Sequence, residues 1–191
     1  MLPTIKEDLN IAQAILAAPE PEQVNIPFVK LDHKTGEWTL GEGDVLNDEG
    51  DPTVIMDMAS LHHGWKWQDD DGKWHDDFVP VSERVPDAPD PDDKYTTEPR
   101  SGYKVLLILL GSGGEGEPMV YSTSSKSGTQ FIAKLLTKTK HRLMKNPNDP
   151  CIHPLFTLGV ESYKHKKFGM IHKPCAHNVK WVDRSGAFAG G

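Results

Sequence analysis

A continuous apolar run in the second half of the chain constrains the fold more than any other feature. Residues 105–110 read Val-Leu-Leu-Ile-Leu-Leu, and 103–110 as a whole predict a strand that is buried on both faces. A membrane-spanning helix needs about 20 predominantly apolar residues, and no stretch of that length occurs. The chain is therefore expected to build its core around a sheet, with no membrane as a partner.

Strand patterns recur on both sides of this run. Short segments rich in β-branched, aromatic or aliphatic residues alternate with turn signals such as Gly36 and the Asp-Asp-Asp-Gly sequence at 69–72,. The other segments predicted as strands are 26–32, 36–40, 53–58, 63–68, 73–75, 78–81, 118–122, 155–163 and 170–182. Most of the chain is thus predicted to form strands and hairpin turns.

One helix is predicted between the strands at 118–122 and 155–163. Ser127, with Gln130 three residues later, forms a capping box that marks its start, and the sequence Asn-Pro-Asn-Asp-Pro ends it. Several strands, one helix and a final hairpin follow each other in the order of a Greek-key barrel. The expected fold class is therefore mainly β with one helix (α+β), as an OB-fold-like five-stranded Greek-key barrel with extended loops.

The chain divides into one domain with two short extensions. Residues 1–25 are an N-terminal lead-in with a short helical stretch, 26–183 form the OB-like domain, and 184–191 form a flexible C-terminal tail. Within the domain, 83–99 contain four prolines and almost no apolar residues. Such a segment cannot bury enough surface to offset its ordering entropy, so it predicts an acidic mobile loop.

Charge is distributed unevenly along the sequence. Residues 42–99 carry 17 acidic against 4 basic groups, whereas 100–191 carry 14 basic against 5 acidic groups, within a net charge of -7. A fold can present a basic half to a polyanion while the acidic part stays away from it. Ordinary solvated surface would give the same counts, so charge alone leaves both interpretations open.

Motifs of catalysis and of cofactor binding are missing from the sequence. It contains neither Gly-x-Ser-x-Gly nor His-Glu-x-x-His, and the glycine-rich segment at 111–116 lacks the Lys-Ser/Thr of a phosphate-binding loop,. We therefore expect a protein that is not an enzyme and needs no cofactor. The N-terminal residues also lack the basic and apolar regions of a signal peptide.

Cysteine and histidine residues leave one alternative open. The two cysteines, Cys151 and Cys175, are too few for a secreted disulfide scaffold and favour a reducing cytoplasm,. Together with His153, His172 and His177 they could hold zinc, but their spacing matches no standard zinc knuckle. No metal site is therefore predicted.

Aromatic and basic residues occur together in two places. Period-two alternation places the rings of His63, Trp65 and Trp67 on one face of a strand, and the turn at 163–168 reads Tyr-Lys-His-Lys-Lys-Phe. Single-stranded nucleic acid is held by such a pairing, because bases stack on rings while cations follow the phosphates. The predicted nucleic-acid-binding residues are His63, Trp65, Trp67, Lys104, Tyr163, Lys164, Lys166, Lys167 and Phe168.

Scattered short motifs give the chain a resemblance to a known group of proteins. They are Phe-Val-Lys-Leu at 28–31, Gly-Glu-Trp at 36–38, His-Gly-Trp at 63–65, Glu-Ser-Tyr-Lys-His-Lys-Lys-Phe-Gly at 161–169 and Lys-Trp at 180–181. Spread over 26–183, they resemble OB-fold single-stranded DNA-binding proteins of tailed bacteriophages. Proteins of that kind often carry an acidic C-terminal tail that recruits partners, whereas residues 184–191 contain no run of carboxylates.

The resemblance implies a non-catalytic protein of phage replication or recombination that binds single-stranded DNA without sequence preference. It would act in the cytoplasm of the infected bacterial host, with single-stranded DNA and phage replication proteins as partners. Two alternatives stay open: a phage structural or regulatory protein that binds another protein, and a metal-dependent enzyme. The oligomeric state is not predicted.

Overall fold

The computed structural model describes residues 25–90, 95–111 and 116–183. Within these ranges the chain forms nine strands and one helix, which confirms the expected class of a mainly β protein with one helix. In chain order they are β1 (Phe28–Leu31), β2 (Trp38–Leu40), β3 (Asp44–Val45), β4 (Thr53–Asp69), β5 (Trp74–Pro80), β6 (Tyr95–Leu110), β7 (Gly116–Thr123), α1 (Lys126–Lys145), β8 (His153–His165) and β9 (Gly169–Val182). The predicted lead-in helix and C-terminal tail, and the centre of the glycine-rich turn, lie outside the described residues.

All nine strands belong to one sheet, which curls into a half-barrel. Its order is β3-β2-β1-β7-β6-β4-β8-β9, with β5 paired to the far part of β4. Neighbouring strands are antiparallel, except that β1 and β7 run parallel. The sheet thus has more strands than the five expected, because local strand patterns do not reveal which strands join into one sheet.

A bulge joins two predicted strands into the single long strand β4. The register against β6 shifts between Asp57 and His62, and side chains stabilise the shift. Ser60 Oγ donates to Asp57 O at 2.7 Å and accepts from Leu106 N at 2.8 Å. Before the bulge, even-numbered residues such as Met56 face the core, whereas after it the core-facing position is Leu61. The bulge therefore exchanges the two faces of the strand.

The core lies between one face of the sheet and α1. Fully buried residues of β4, β6 and β7 pack against Phe131, Ile132 and Leu135 of the helix. Four aromatic rings meet edge to face in a row, with centroids 5.7, 6.0 and 5.9 Å apart, and they are Trp38, Tyr121, Phe131 and Phe156. The burial of these rings holds the sheet and the helix together. Among the described residues, no helix has the length and apolar character needed to cross a membrane.

Helix α1 begins two residues earlier than predicted. The N-cap is Ser125, whose hydroxyl accepts from Gly128 N at 3.1 Å, and not Ser127. Ser125 Oγ is also within 3.1 Å of Thr123 Oγ1 at the end of β7, so the cap is fixed by the preceding strand. A capping box read from sequence alone cannot detect that contact, and the predicted start was wrong for this reason.

The acidic segment is shorter and better anchored than predicted. Strand β6 begins at Tyr95, inside the segment 83–99, because β4 continues to Asp69 and pairs with Tyr95 there. At the start of the acidic segment, His63 Nε2 donates to Glu83 O at 2.9 Å and Trp65 Nε1 donates to Pro86 O at 2.8 Å. The prediction of a loop running to 99 was therefore wrong at its C-terminal end.

Candidate nucleic-acid interface

The predicted site residues on the sheet are divided between its two faces. His63 and Trp65 come after the bulge in β4 and point to the side of the sheet that carries α1, where they line cavities beside Thr129 of the helix. Lys104 pairs with His62 in the register between β6 and β4, and paired residues share a face. Lys104 therefore lies on the side without the helix, away from the rings with which it was grouped.

Trp67 belongs to the acidic end of the β4–β5 hairpin. Its ring stacks on His75, with centroids 5.7 Å apart and an angle of 19° between the planes. His75 Nε2 in turn lies 2.6 Å from Asp69 Oδ2, and this hydrogen bond holds the pKa of Asp69 below its usual value. Trp67 thus takes part in local packing beside carboxylates. A phosphate bound at this point would need cations instead.

The turn between β8 and β9 presents its rings and lysines to solvent as predicted. Tyr163 is 44% and Phe168 65% exposed. The ring of His165 stacks on Phe168 at 4.9 Å, and Lys167 Nζ lies 5.3 Å from the centre of the same ring. Since His165 Nδ1 also accepts from the backbone N of Lys167 and Phe168, the turn holds its aromatic pair in a fixed position.

The N-terminal end of α1 brings the two predicted regions together. Tyr163 lines a cavity with Lys126 and Lys173, while Trp65 lines the adjoining cavity with Arg100 and Lys126. Lys126 is common to both. Arg100 pairs with Lys66 in the register of β6 and β4 and therefore belongs to the face without the helix, so we call the other four residues the helix-end surface. Two rings from β4 and β8 thus lie on either side of the first turn of one helix.

The electrostatics of the helix-end surface favour anions. The first turn of α1 carries no acidic residue, and its free backbone N–H groups and the helix dipole attract negative charge. Lys126 is exposed. One carboxylate lies near, since Lys173 Nζ is 3.0 Å from Glu161 Oε2, and this bond lowers the pKa of Glu161.

Two members of this surface, Lys126 and Lys173, were not predicted from the sequence. Each is an isolated cation in its own segment, and only the fold brings them to the same helix end. The sequence signal for Lys126 was its position beside the helix start, where cations are unusual because the helix dipole disfavours them.

The cysteine and histidine residues do not form a metal centre among the described residues. Cys175 Sγ lies 3.1 Å from His177 Nε2, but no group of three or more His, Cys, Asp or Glu that could hold a metal ion is found in the described ranges. Burial raises the pKa of Cys175 to about 11. The thiol is therefore protonated at neutral pH and is a poor nucleophile or ligand.

Comparison with known proteins identifies no related protein, so the function has to be inferred from the geometry described above. No protein-family model matches the sequence, and searches of curated proteins and of solved structures find no match either. A function can accordingly be argued only from the residues of the helix-end surface, their contacts and their charges.

Proposed function

We propose that this protein binds single-stranded DNA at the helix-end surface, with little sequence preference and without catalysis. The observation that carries the proposal is the position of Trp65 and Tyr163, which are distant in sequence and line adjoining cavities that share Lys126. Rings on both sides of a cation are the arrangement that a splayed strand needs, since bases and phosphates alternate along it.

In this mechanism the phosphates would pass over the start of α1. Lys126 and the backbone N–H groups of the first turn would neutralise them. The exposed ring of Tyr163 would stack on a base, which contributes about 1–3 kcal/mol per stacked base. Because every base has an aromatic face and no side chain here is required to read base edges, binding would be independent of sequence.

The turn between β8 and β9 would extend the contact beyond the helix end. Lys164, Lys166 and Lys167 are exposed and adjoin Tyr163, so they would follow the backbone of the strand as it leaves the surface. Phe168, stacked on His165, would offer a further platform. These contacts also explain how a protein of net charge -7 could bind a polyanion, since its basic groups are concentrated locally.

The proposal also includes an OB-fold-like architecture and a biological setting for the protein. The curled sheet with one packed helix supports an OB-fold-like architecture, although nine strands and the parallel pair of β1 with β7 extend it beyond a five-stranded barrel. The resemblance to phage proteins supports a function in phage replication or recombination. The protein would then act in the cytoplasm of an infected bacterium, beside other replication proteins.

Fluorescence anisotropy with labelled oligo-dT tests the proposal. Replacing Lys164, Lys166 and Lys167 by Ala should weaken binding and lower the slope of log K against log salt by about two to three units, because fewer counterions are released. A matched control replaces three exposed lysines elsewhere, and these are Lys140, Lys145 and Lys180. The control has the same net charge and should keep most of the affinity and slope.

Two outcomes would contradict the proposal. One is the absence of any oligo-dT binding by the wild-type protein at low salt. The other is an equal loss of affinity in the turn variant and in the control variant, which would mean that only overall charge matters. A protein that functions by binding another protein would show the first outcome.

A further inference from the structure

The face of the sheet opposite α1 carries a second group of rings and cations. Alternation and cross-strand pairing place its members on one side of β1, β6, β4 and β5,. We call them the open-face patch, and they are Phe28, Lys30, His62, Lys66, Trp74, Phe78 and Lys104. Only Lys104 was among the residues predicted from sequence.

Three lysines lie close enough in this patch to affect one another. Lys66 is half-buried, and its pKa is lowered chiefly by burial, with additional repulsion from Lys30 and Lys104. Asp76, directly across from Lys66 in the register of β4 and β5, is the carboxylate that opposes this effect. Asp76 opposes three lysines, and Arg100, paired with Lys66 in the register of β6 and β4, adds a further positive charge to this face. The described residues of the face thus carry a surplus of positive charge, which an anion would neutralise.

Aromatic side chains alternate with these lysines. Phe28 at one end and Trp74 at the other are 47% and 53% exposed, so both rings are accessible to a ligand. Lys66 Nζ lies 5.2 Å from the centre of the Trp74 ring. Between them, His62, Phe78 and Lys104 line a cavity of about 340 Å³, a volume near the lower end for small-ligand sites.

We infer that the open-face patch is a second binding surface for single-stranded DNA. Bases stack on Trp74, Phe78 and Phe28, and the phosphates between them contact Lys30, Lys66 and Lys104. The inference rests on the proposed function in that it assigns a second surface to the same class of ligand. A strand held on both faces of the sheet passes around an edge of the half-barrel.

The composition and the length of the patch favour a strand over other ligands. Lysine is depleted from the centres of protein–protein interfaces, whereas this patch carries three lysines, on β1, β4 and β6. The patch crosses from β1 through β7, β6 and β4 to β5, which at about 4.8 Å per strand spacing gives roughly 19 Å. That length exceeds a single nucleotide and suits a polymer that alternates bases with phosphates.

A charge variant of the open face provides the first test. In it, Lys30→Gln, Lys66→Gln and Lys104→Gln are combined, and the control combines Lys140→Gln, Lys145→Gln and Lys180→Gln. Binding of oligo-dT of about 16 nucleotides, the upper site size of an OB fold, is measured against salt. The open-face variant should lose roughly tenfold to a hundredfold in affinity at about 0.1 M salt, and its salt slope should fall by about two units, as three lost contacts to a single strand imply.

A conservative variant keeps the test valid if the charge variant does not fold. Trp74→Phe retains a ring for stacking but removes the exposed indole. Its affinity for oligo-dT should stay near that of the wild type, while the quenching of tryptophan fluorescence by bound DNA should become smaller. Unchanged quenching in Trp74→Phe would overturn the inference, since DNA would then not reach this face.

The results also separate the inference from the proposed function. If the wild-type protein binds no oligo-dT at low salt, both fail. If the turn variant at Lys164, Lys166 and Lys167 loses affinity while the open-face variant matches its control, DNA binding stands and only the second surface is overturned.

Discussion

At the scale of single residues, the position of the helix end depends on Gly128. A Cβ added there would lie 2.9 Å from Thr123 Cβ and closer still to its hydroxyl, in a contact that rotation of the threonine cannot relieve. In a helix, Ala is normally better than Gly by up to about 1 kcal/mol. At this position the lack of space should make the protein less stable with Ala than with Gly.

Gly128→Ala is therefore expected to destabilise the protein by about 1–3 kcal/mol, the usual cost of overpacking. Urea unfolding followed by circular dichroism measures the change. Thr137→Ala, at an exposed position of the same helix, serves as the control and should be neutral or slightly stabilising. Equal stability of Gly128→Ala and the wild type would show that the first turn of α1 is not held against β7 as described.

The second prediction at this scale concerns the thiol of Cys175. Burial raises its pKa to about 11, and Glu161 adds to the shift, so the neutral thiol is favoured at physiological pH. Because only the thiolate reacts with iodoacetamide, the alkylation rate should rise about tenfold per pH unit from pH 8 towards 11. Mass spectrometry of the labelled peptide gives the rate. A rate already at its plateau near pH 9 would contradict the raised pKa.

At the scale of elements, the acidic segment before β6 lies against the proposed interface at its start. Glu83 and Pro86 accept hydrogen bonds from His63 and Trp65, whereas residues 87–94 carry four aspartates and one lysine. If the protein binds DNA as proposed, carboxylates that follow directly after a contact with Trp65 would compete with phosphate for the same cations. The segment would then weaken DNA binding without being needed for the fold.

Replacing Asp87, Asp90, Asp92 and Asp93 together by Asn should accordingly tighten oligo-dT binding at low salt, with a smaller gain at high salt because of screening. Anisotropy titrations at two salt concentrations measure both. A control of equal charge combines Glu42→Gln, Asp44→Asn, Asp48→Asn and Glu49→Gln, at exposed positions remote in sequence. If the segment variant binds no more tightly than the control, the segment does not act as a competitor.

At the scale of the whole molecule, the proposed mechanism discriminates between single strands and duplexes. The rings of Trp65 and Tyr163 can stack only on bases that are not already paired and stacked, and extracting a base from a duplex costs a few kcal/mol. The protein should therefore bind oligo-dT at least about tenfold more tightly than duplex DNA of equal length. Competition in the anisotropy assay measures the ratio. Equal affinities would mean that binding is purely electrostatic.

Local patterns in the sequence predicted many of the individual elements. The first hairpin around Gly36, which has a φ of 79°, the buried strand β6, the helix and the final hairpin were all visible as short-range periodicity. The N-cap, the end of the acidic loop and the number of strands in the sheet were predicted wrongly. The end of the acidic loop and the number of strands depend on partners remote in sequence, such as Asp69 for the start of β6, whereas the N-cap Ser125 is held by Thr123 at the end of the preceding strand.

The residues of the candidate interface likewise fall into those that local sequence patterns predict and those whose position depends on the tertiary structure. The exposed turn of Tyr163 and Phe168 was predicted from sequence because its rings and lysines are consecutive, and a hairpin tip presents them whatever the rest of the fold does. Lys104, which was predicted together with His63 and Trp65 as a nucleic-acid-binding residue, lies on the other face of the sheet from them. The bulge between Asp57 and His62 and the pairing of β6 with β4 decide which face each residue occupies.

The sequence by itself thus determined a β-rich chain with one helix, a polarised charge and an exposed aromatic and basic turn, since these follow from propensity and composition over a few residues. Only the tertiary structure decided that Trp65 and Tyr163 meet at Lys126, and that Lys30, Lys66 and Lys104 share the opposite face. The physical reason is that side chains alternate strictly along a strand, so one bulge or one choice of partner strand moves a whole set of residues to the other side of the sheet.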